Sequence, residues 1–328
     1  MGFSEIIGHQ RPLEILRRAL AKERLHHAYL FVGPEGVGKR TVALALAQAL
    51  HCGEAGGDFC GRCVDCARIQ DRNHPDVRLV ETPAGKKEIG IQQIRDVEKE
   101  LNYRSFSGKR KIAIVDPATA MNLSSQNALL KTLEEPPAGS LLILLAANAG
   151  GLLPTLRSRC LRLSFAPLAR DAVARFLMAR KEVAHEEAQF LAAMSMGSLG
   201  AALRLDQEEL LERRRVWVGM MTSLVAGDYR GAGAAAEAIA GNKEEALRFL
   251  EWAGTWYRDL AVHAVTRNPE ALVNIDMLAQ IMSQSTAGNV ERALSSFAQT
   301  GQAAAGIQRN LNRRMVLERF LFSVVGGR

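Results

Sequence analysis

Two periods of apolar residues alternate through the first half of the chain. His27-Ala28-Tyr29-Leu30-Phe31-Val32 is a short apolar run ending in glycines and predicts a buried strand. Asp76-Val77-Arg78-Leu79-Val80-Glu81 alternates as a strand does, Lys111 to Asp116 and Leu141 to Ala147 are further apolar runs, and Leu161 to Ser164 predicts a fifth strand. Between them lie helical patterns. Thr41 to Leu50 is rich in Ala and Leu, Ile91 to Tyr103 sets Ile91, Ile94, Val97 and Leu101 on one face, and Ser124 to Glu135 is stopped by Pro136-Pro137. Strand–helix alternation predicts an α/β domain, a parallel sheet with helices on both faces.

The pattern changes after Pro167. From there to Arg328 no strand is predicted, and Ala, Leu, Glu and Arg build successive helices. A short block, 167–207, ends near Gly197-Ser198-Leu199-Gly200, and a longer one covers 208–328. Gly231 to Gly241 looks low in complexity, but its apolar content predicts small-residue helix packing rather than a linker. Arg213-Arg214-Arg215 reads as a solvated helix face.

Composition narrows the class. The 328 residues are 48% hydrophobic and 23% charged, which excludes a disordered chain and supports sizeable cores. With 42 Lys+Arg against 35 Asp+Glu the net charge is +7, which permits a nucleic-acid partner without demanding one. No apolar run approaches the ~20 residues of a membrane helix, and Met1-Gly2-Phe3-Ser4-Glu5 lacks a basic-plus-apolar signal. A cytoplasmic protein with no membrane partner is expected.

Four of the five cysteines, Cys52, Cys60, Cys63 and Cys66, fall within fifteen residues, and Cys160 stands alone. Disulfides are not expected in the cytoplasm. Two C-x-x-C steps sharing Cys63 suit a metal better than a redox pair, which needs only two thiols. Four thiolates can close a tetrahedral structural zinc site, and Gly53, Gly56, Gly57 and Gly61 supply tight turns. The alternative is four reduced thiols. His51 and His74, close by, read as surface or packing histidines.

Gly33-Pro34-Glu35-Gly36-Val37-Gly38-Lys39 follows a strand and opens a helix, the setting of a phosphate-binding loop. Gly33, Gly36 and Gly38 would let backbone N–H groups curl round phosphates, Lys39 would neutralise them, and the helix dipole would assist. The next position calls for Ser or Thr to hold magnesium, and it is Arg40. Thr41 is turned a further ~100° round the helix and does not substitute. NTP hydrolysis also needs an acidic pair at a strand end. Here the pair is Asp116-Pro117: Asp116 can assist a metal, but Pro117 has no acid–base function. These residues predict a site that binds ATP without hydrolysing it. The alternative is a glycine-rich turn that binds nothing, with Asp116 a strand-end cap.

Further motifs complete a recognisable set. They are His27-Ala28-Tyr29-Leu30-Phe31, the four cysteines, Asn73-His74-Pro75-Asp76, and Asn127 to Pro137 with its Leu-Leu-Lys-Thr-Leu-Glu-Glu-Pro-Pro core. Ser158-Arg159-Cys160, Trp256-Tyr257-Arg258-Asp259-Leu260 and Asn310-Leu311-Asn312-Arg313 follow. Across essentially its whole length the chain resembles the delta-prime family of bacterial DNA polymerase III clamp-loader subunits. The resemblance implies an AAA+ P-loop domain at 1–166 with a zinc module at 52–66, a small helical lid at 167–207, and an all-α collar at 208–328 that assembles five subunits. It implies a component of the DNA-directed DNA polymerase holoenzyme that helps load the sliding clamp onto primed DNA. The partners implied are gamma/tau and delta subunits, the clamp and primed DNA.

The resemblance also assigns Arg159 as an arginine finger acting in trans on a neighbour's ATP. Lys86, Lys87, Arg95 and Lys131 match, or lie near, positions that face DNA. The motor subunits of this family carry Asp-Glu where this chain has Asp116-Pro117, a hydroxylated residue near Ala146-Ala147-Asn148, and a lid arginine where it has Gly200. The three departures agree with a subunit that lacks intrinsic ATPase activity. An active gamma/tau-type ATPase and a stand-alone zinc-containing DNA-binding protein remain the alternatives.

Overall fold

The structure, a computed structural model, describes residues 2–54, 56–224 and 227–326. Its contacts form two compact units, Met1–Phe176 with Gly197–Leu203, and Leu177–Met196 with Arg204–Arg328. The stretch expected as a separate lid, 167–207, is therefore shared between the two.

The first unit runs α1 (Gln10–Ala21), β1 (Ala28–Val32), α2 (Lys39–His51), α3 (Val64–Gln70), β2 (Val77–Val80), α4 (Ile91–Asn102), β3 (Lys111–Val115), α5 (Leu123–Glu134), β4 (Ser140–Ala146), α6 (Pro154–Arg157) and β5 (Leu161–Ser164). The strands form one parallel sheet in the order β2-β3-β4-β1-β5. Central β1, β3 and β4 are buried at every residue, which is why each reads as a continuous apolar run. Edge strand β5 buries only Leu163 of its four residues. The predicted face of α4 is the observed one, with Ile94, Val97 and Leu101 buried. The β1→α2 connection is the glycine loop, so the loop opens at the carboxyl edge of the sheet, where ligand sites of such sheets lie.

One buried carboxylate organises the opposite edge. Asp76, 1% exposed, accepts from Ser105 Oγ (2.8 Å), Ser107 Oγ (2.7 Å) and the backbone N–H groups of Phe106 (2.9 Å) and Ser107 (2.8 Å). Lys111 Nζ, at the start of β3, stands 3.1 Å away. Burial alone would raise the Asp76 pKa, but the donors from Ser107, Phe106 and Ser105 outweigh it and hold the group well below the usual carboxylate range. The Asn-His-Pro-Asp motif thus fixes the 105–107 turn to the entries of β2 and β3.

The second unit is helical, with no strand among its described residues. It contains α8 (His185–Met194), α10 (Gln207–Ser223), α11 (Tyr229–Ala240), α12 (Lys243–Thr266), α13 (Leu278–Gln284), α14 (Val290–Gln308) and α15 (Arg313–Gly326), while α7 (Arg170–Lys181) and α9 (Leu199–Arg204) straddle the divisions. Phe249, Trp252 and Trp256 of α12 pack among Trp217 and Phe320. Buried Ala232, Ala235 and Ala236 let α11 lie close against α15, so the Gly-Ala stretch is a packed helix. Asp259 of the Trp-Tyr-Arg-Asp-Leu motif is fully buried and accepts from the N–H groups of Val273 (2.9 Å) and Asn274 (2.7 Å). Arg313 Nε caps the end of α11 through the Ala240 carbonyl at 2.8 Å. No helix among the described residues is long and apolar enough to cross a membrane.

The arginine triplet differs from its sequence reading. Arg214 is not solvated. It is 1% exposed, bonds Asn274 Oδ1 and Asp276 Oδ1 at 2.8 Å each, and has its guanidinium carbon 5.8 Å from the Phe190 ring centre. Helical periodicity could not show this, because the partners arrive from a turn sixty residues away. Arg214→Leu is expected to destabilise this unit by about 3 kcal/mol, since it strands a largely buried carboxylate. All three tryptophans lie in this unit, so urea unfolding followed by tryptophan fluorescence reads the loss directly; an unchanged midpoint would refute it.

Candidate functional site

The glycine loop passes from β1 into α2. Gly36 (φ +71°) and Gly38 (φ +114°) take left-handed backbone conformations, which is why glycine stands at both. His9 Nε2 lies 2.7 Å from the Val37 carbonyl oxygen and props the loop from α1; burial lowers the His9 pKa and keeps the ring neutral. Lys39 is 8% exposed, and its ammonium donates to the carbonyls of Gly33 (2.6 Å) and Pro34 (2.7 Å). Burial pulls its pKa below the usual lysine value, against the attraction of Asp116 and Glu35.

Arg40 is the centre of the site. Its Nε donates to Asp116 Oδ2 at 2.5 Å and its Nη2 lies 2.7 Å from Glu81 Oε1. Burial alone would lower the guanidinium pKa, but Asp116 and Glu81 outweigh it and raise it. The guanidinium therefore ties the first turn of α2 to the carboxyl ends of β3 and β2. Asp116 is a guanidinium partner rather than a bare strand-end cap. Thr41, one position further along α2, is exposed. Glu81 was not singled out by sequence, although an acidic residue closing a parallel strand at the edge that carries the loop was the available signal.

A segment far along the chain covers the loop. Ser198 Oγ donates to the Glu35 carbonyl (2.9 Å) and Gly200 N–H to the Gly36 carbonyl (2.9 Å). A Cβ on Gly200 would stand 2.9 Å from Gly36 Cα, so only glycine allows this approach. The position where the motor subunits carry an arginine is thus a backbone contact to the loop.

The four cysteines converge. One ligand atom from each of Cys52, Cys60, Cys63 and Cys66 lies within 4.8 Å of the others, close enough to hold a metal ion. Cys60 Sγ accepts from the N–H groups of Cys63 (3.2 Å) and Arg62 (3.5 Å), and Cys63 Sγ accepts from Cys66 N–H (3.5 Å) while capping α3. Such N–H···S bonds support thiolate charge on a ligand. Burial, reinforced by hydrogen bonds with Cys63 and Cys52, pushes the Cys66 thiol up to about 12, so metal binding here must expel a proton. Gln48 Nε2 holds the Cys66 carbonyl at 2.9 Å, and Phe59 packs edge-on against Phe3 at 5.6 Å.

His51, His74 and Asp76 form a second close group beside the cysteines. Asp76 is already saturated by the donors described above and faces Lys111, so this group is a hydrogen-bond hub rather than a cation site. Both histidines are packing residues, 0% and 6% exposed, with rings 4.5 Å apart.

Arg159 and its neighbours sit on α6 and the turn after it. Arg159 Nη2 pairs with Glu134 Oε1 at 2.7 Å and Nη1 donates to the Thr155 carbonyl at 2.8 Å. Burial pushes the adjacent Cys160 thiol up to about 12 and keeps it inert. Lys86 and Lys87 lie in the loop before α4, Arg95 on α4, and Lys131 on α5, which packs against α4. All four are exposed, and none has an ion-pair partner among the described residues.

Comparison with known proteins follows the same lines. The family described as DNA polymerase III, delta subunit matches residues 8–169. The DNA polymerase III subunit delta' of Bacillus subtilis is 35% identical over 204 residues, covering 62% of this chain and 61% of that protein. The match therefore spans less than two thirds of the Bacillus relative. The subunit delta' of Pseudomonas aeruginosa is 31% identical over 302 residues, 90% of each chain. The DNA polymerase III subunit tau of Salmonella typhimurium is 34% identical over 215 residues, covering 63% of this chain and 33% of that one.

His51 makes the first unit acid-sensitive. Burial, then the neighbouring His74, pushes its pKa from 6.5 down to about 4. Its folded pKa is depressed and the favoured form is neutral, so its contribution is present above pH 6.5 and lost as pH falls toward 4. Between pH 7 and 5 the loss is about 2 kcal/mol. Hydrogen exchange in α2 at the two pH values should show this in the parent and a much smaller change in His51→Gln; equal changes would refute it.

Proposed function

The chain belongs to the family of DNA polymerase III delta' subunits, and from that premise we propose that it serves in a clamp loader as a subunit that does not hydrolyse ATP. The observation that carries this reading is Arg40 held between Asp116 and Glu81. A fixed guanidinium stands where a hydrolytic P-loop site needs a magnesium ion, and it uses up the carboxylate that would hold one. Pro117 leaves no group to orient an attacking water. These two features favour this role over an active gamma/tau-type ATPase. The amides of Gly36 and Gly38 and the Lys39 ammonium retain the chemistry to hold ATP phosphates, so any ATP is bound without turnover.

In this role the chain joins gamma/tau and delta subunits, with 208–328 as the collar and 167–207 as the lid. The assembly opens the sliding clamp and closes it on primed DNA, with Lys86, Lys87, Arg95 and Lys131 tracking phosphates without reading sequence. Arg159 reaches a neighbouring subunit's ATP, where a guanidinium stabilises charge on the transferred phosphoryl group. The isolated chain should show no ATP turnover. A reconstituted clamp loader carrying Arg159→Ala should assemble normally and lose DNA- and clamp-stimulated ATPase, by about tenfold or more given the ~10³–10⁵ that arginine fingers supply elsewhere. Turnover by the isolated chain that Lys39→Ala abolishes would instead make it a motor, and an unchanged rate in the Arg159→Ala complex would leave it an architectural subunit only.

The metal held by the four cysteines is zinc, in a closed structural site: four thiolates with no open position suit Zn²⁺. Metal analysis of the purified chain should find one zinc. Cys63→Ser should lose it and loosen residues 50–71 in hydrogen exchange, while tryptophan fluorescence from the second unit stays unchanged. A metal-free chain that keeps its fold with Cys52, Cys60, Cys63 and Cys66 all reactive would refute the assignment.

A further inference from the structure

Arg157 and Arg159 lie two residues apart on one exposed turn, yet only one is held. The Arg157 guanidinium has no hydrogen-bond or ion-pair partner among the described residues. Arg159 is gripped twice, by the Glu134 carboxylate at the C-terminal end of α5 (2.7 Å) and by the Thr155 carbonyl of its own turn (2.8 Å). A guanidinium has five N–H donors in a rigid fork. Two are used here, and three remain available on a group that is still 36% exposed. Nothing in the fold requires this pair for stability, since both partners are substantially exposed and such pairs contribute little.

The two elements that bring the pair together are fixed independently of it. Gln126, in the first turn of α5, is 6% exposed; its Oε1 accepts from Leu153 N–H at 2.8 Å, and its Nε2 donates to the carbonyls of Met121 (3.0 Å) and Gly151 (3.3 Å). Gln126 thus anchors the segment leading into α6, and Glu134, two turns further along α5, meets the side chain that α6 presents. The frame would survive loss of the carboxylate, and only the orientation of Arg159 would change.

We propose that Glu134 is a positioning residue for Arg159: it holds the guanidinium in one rotamer with three donors free for a phosphate on a neighbouring subunit. An unrestrained arginine would have to surrender its rotamer freedom at the moment of phosphate contact, and Glu134 removes that cost in advance. An exposed pair is weak enough that a polyphosphate can take over donors without a fight. This inference rests on the trans role of Arg159, and its test separates the two.

The experiment is a reconstituted clamp loader containing Glu134→Ala, Glu134→Gln, Arg159→Ala or Glu134→Ala/Arg159→Ala, each checked for assembly by size-exclusion chromatography. The readout is DNA- and clamp-stimulated ATPase, with kcat and KM for ATP resolved. Glu134→Ala should lower kcat about two- to fivefold, the worth of one exposed ion pair, with KM unchanged. Glu134→Gln keeps an acceptor for Nη2 and should recover part of the loss. In the Arg159→Ala background Glu134→Ala should have no further effect. A kcat drop that persists in that background would show a merely structural role. A rise in kcat would make Glu134 a restraining latch, and no change would remove it from the site while leaving Arg159 in place. If Arg159→Ala itself is without effect, the trans role falls and this inference with it.

Discussion

The Arg40 guanidinium is the contact on which the face around the glycine loop depends. It gathers the start of α2 and the carboxyl ends of β2 and β3 around one permanent positive charge. A P-loop enzyme leaves that corner to an exchangeable divalent ion, which arrives with the nucleotide and leaves with the product. An arginine cannot leave. Together with Arg72, whose Nη1 lies 2.9 Å from Glu81 Oε2, it balances the charges of Asp116 and Glu81 in the absence of any ligand.

The same economy runs through the loop. The Lys39 ammonium is satisfied by two carbonyls of its own loop, and the carbonyls of Glu35 and Gly36 are satisfied by Ser198 and Gly200. Groups that in a motor would cycle between ligand and solvent here have intramolecular partners. Free donors lie elsewhere: three on the guanidinium of Arg159, and those of Lys86, Lys87, Arg95 and Lys131 around α4 and α5, which have no ion-pair partner among the described residues. The free donors thus lie on the surface rather than in a pocket. That is the expected distribution for a subunit whose fold is retained for shape and for what it offers its neighbours.

Two buried carboxylates do for the frame what Arg40 does for the face. Asp76 pins a turn to the sheet entry, and Asp259 pins residues 273–274 to the longest helix of the second unit. Both lie in short motifs that first suggested a clamp-loader subunit, and both are structural. Each motif marks a place where one acidic group satisfies several backbone donors at once, so its loss would leave several buried N–H groups unpaired.

The five strands, the glycine loop and the helices that cover the sheet were legible from sequence because each is a local matter. A strand buried on both faces must be apolar throughout, a helix face repeats at its own period, and a phosphate loop needs glycines at fixed spacing. Element ends differ from expectation by one or two residues. The short α3 was not read, because over seven residues it buries only Cys66 and Ile69, too few positions to set a period. α1 was not read either. Convergence of four thiols was legible because they are close in the chain. Pairing between distant charges was not. Arg40 meets an aspartate seventy-six residues on, Arg214 meets one sixty-two residues on, and Arg159 meets a glutamate twenty-five residues back. A charged residue has the same local signature whether it faces water or a buried partner, because the energy that decides between them comes from groups only the tertiary structure brings within reach.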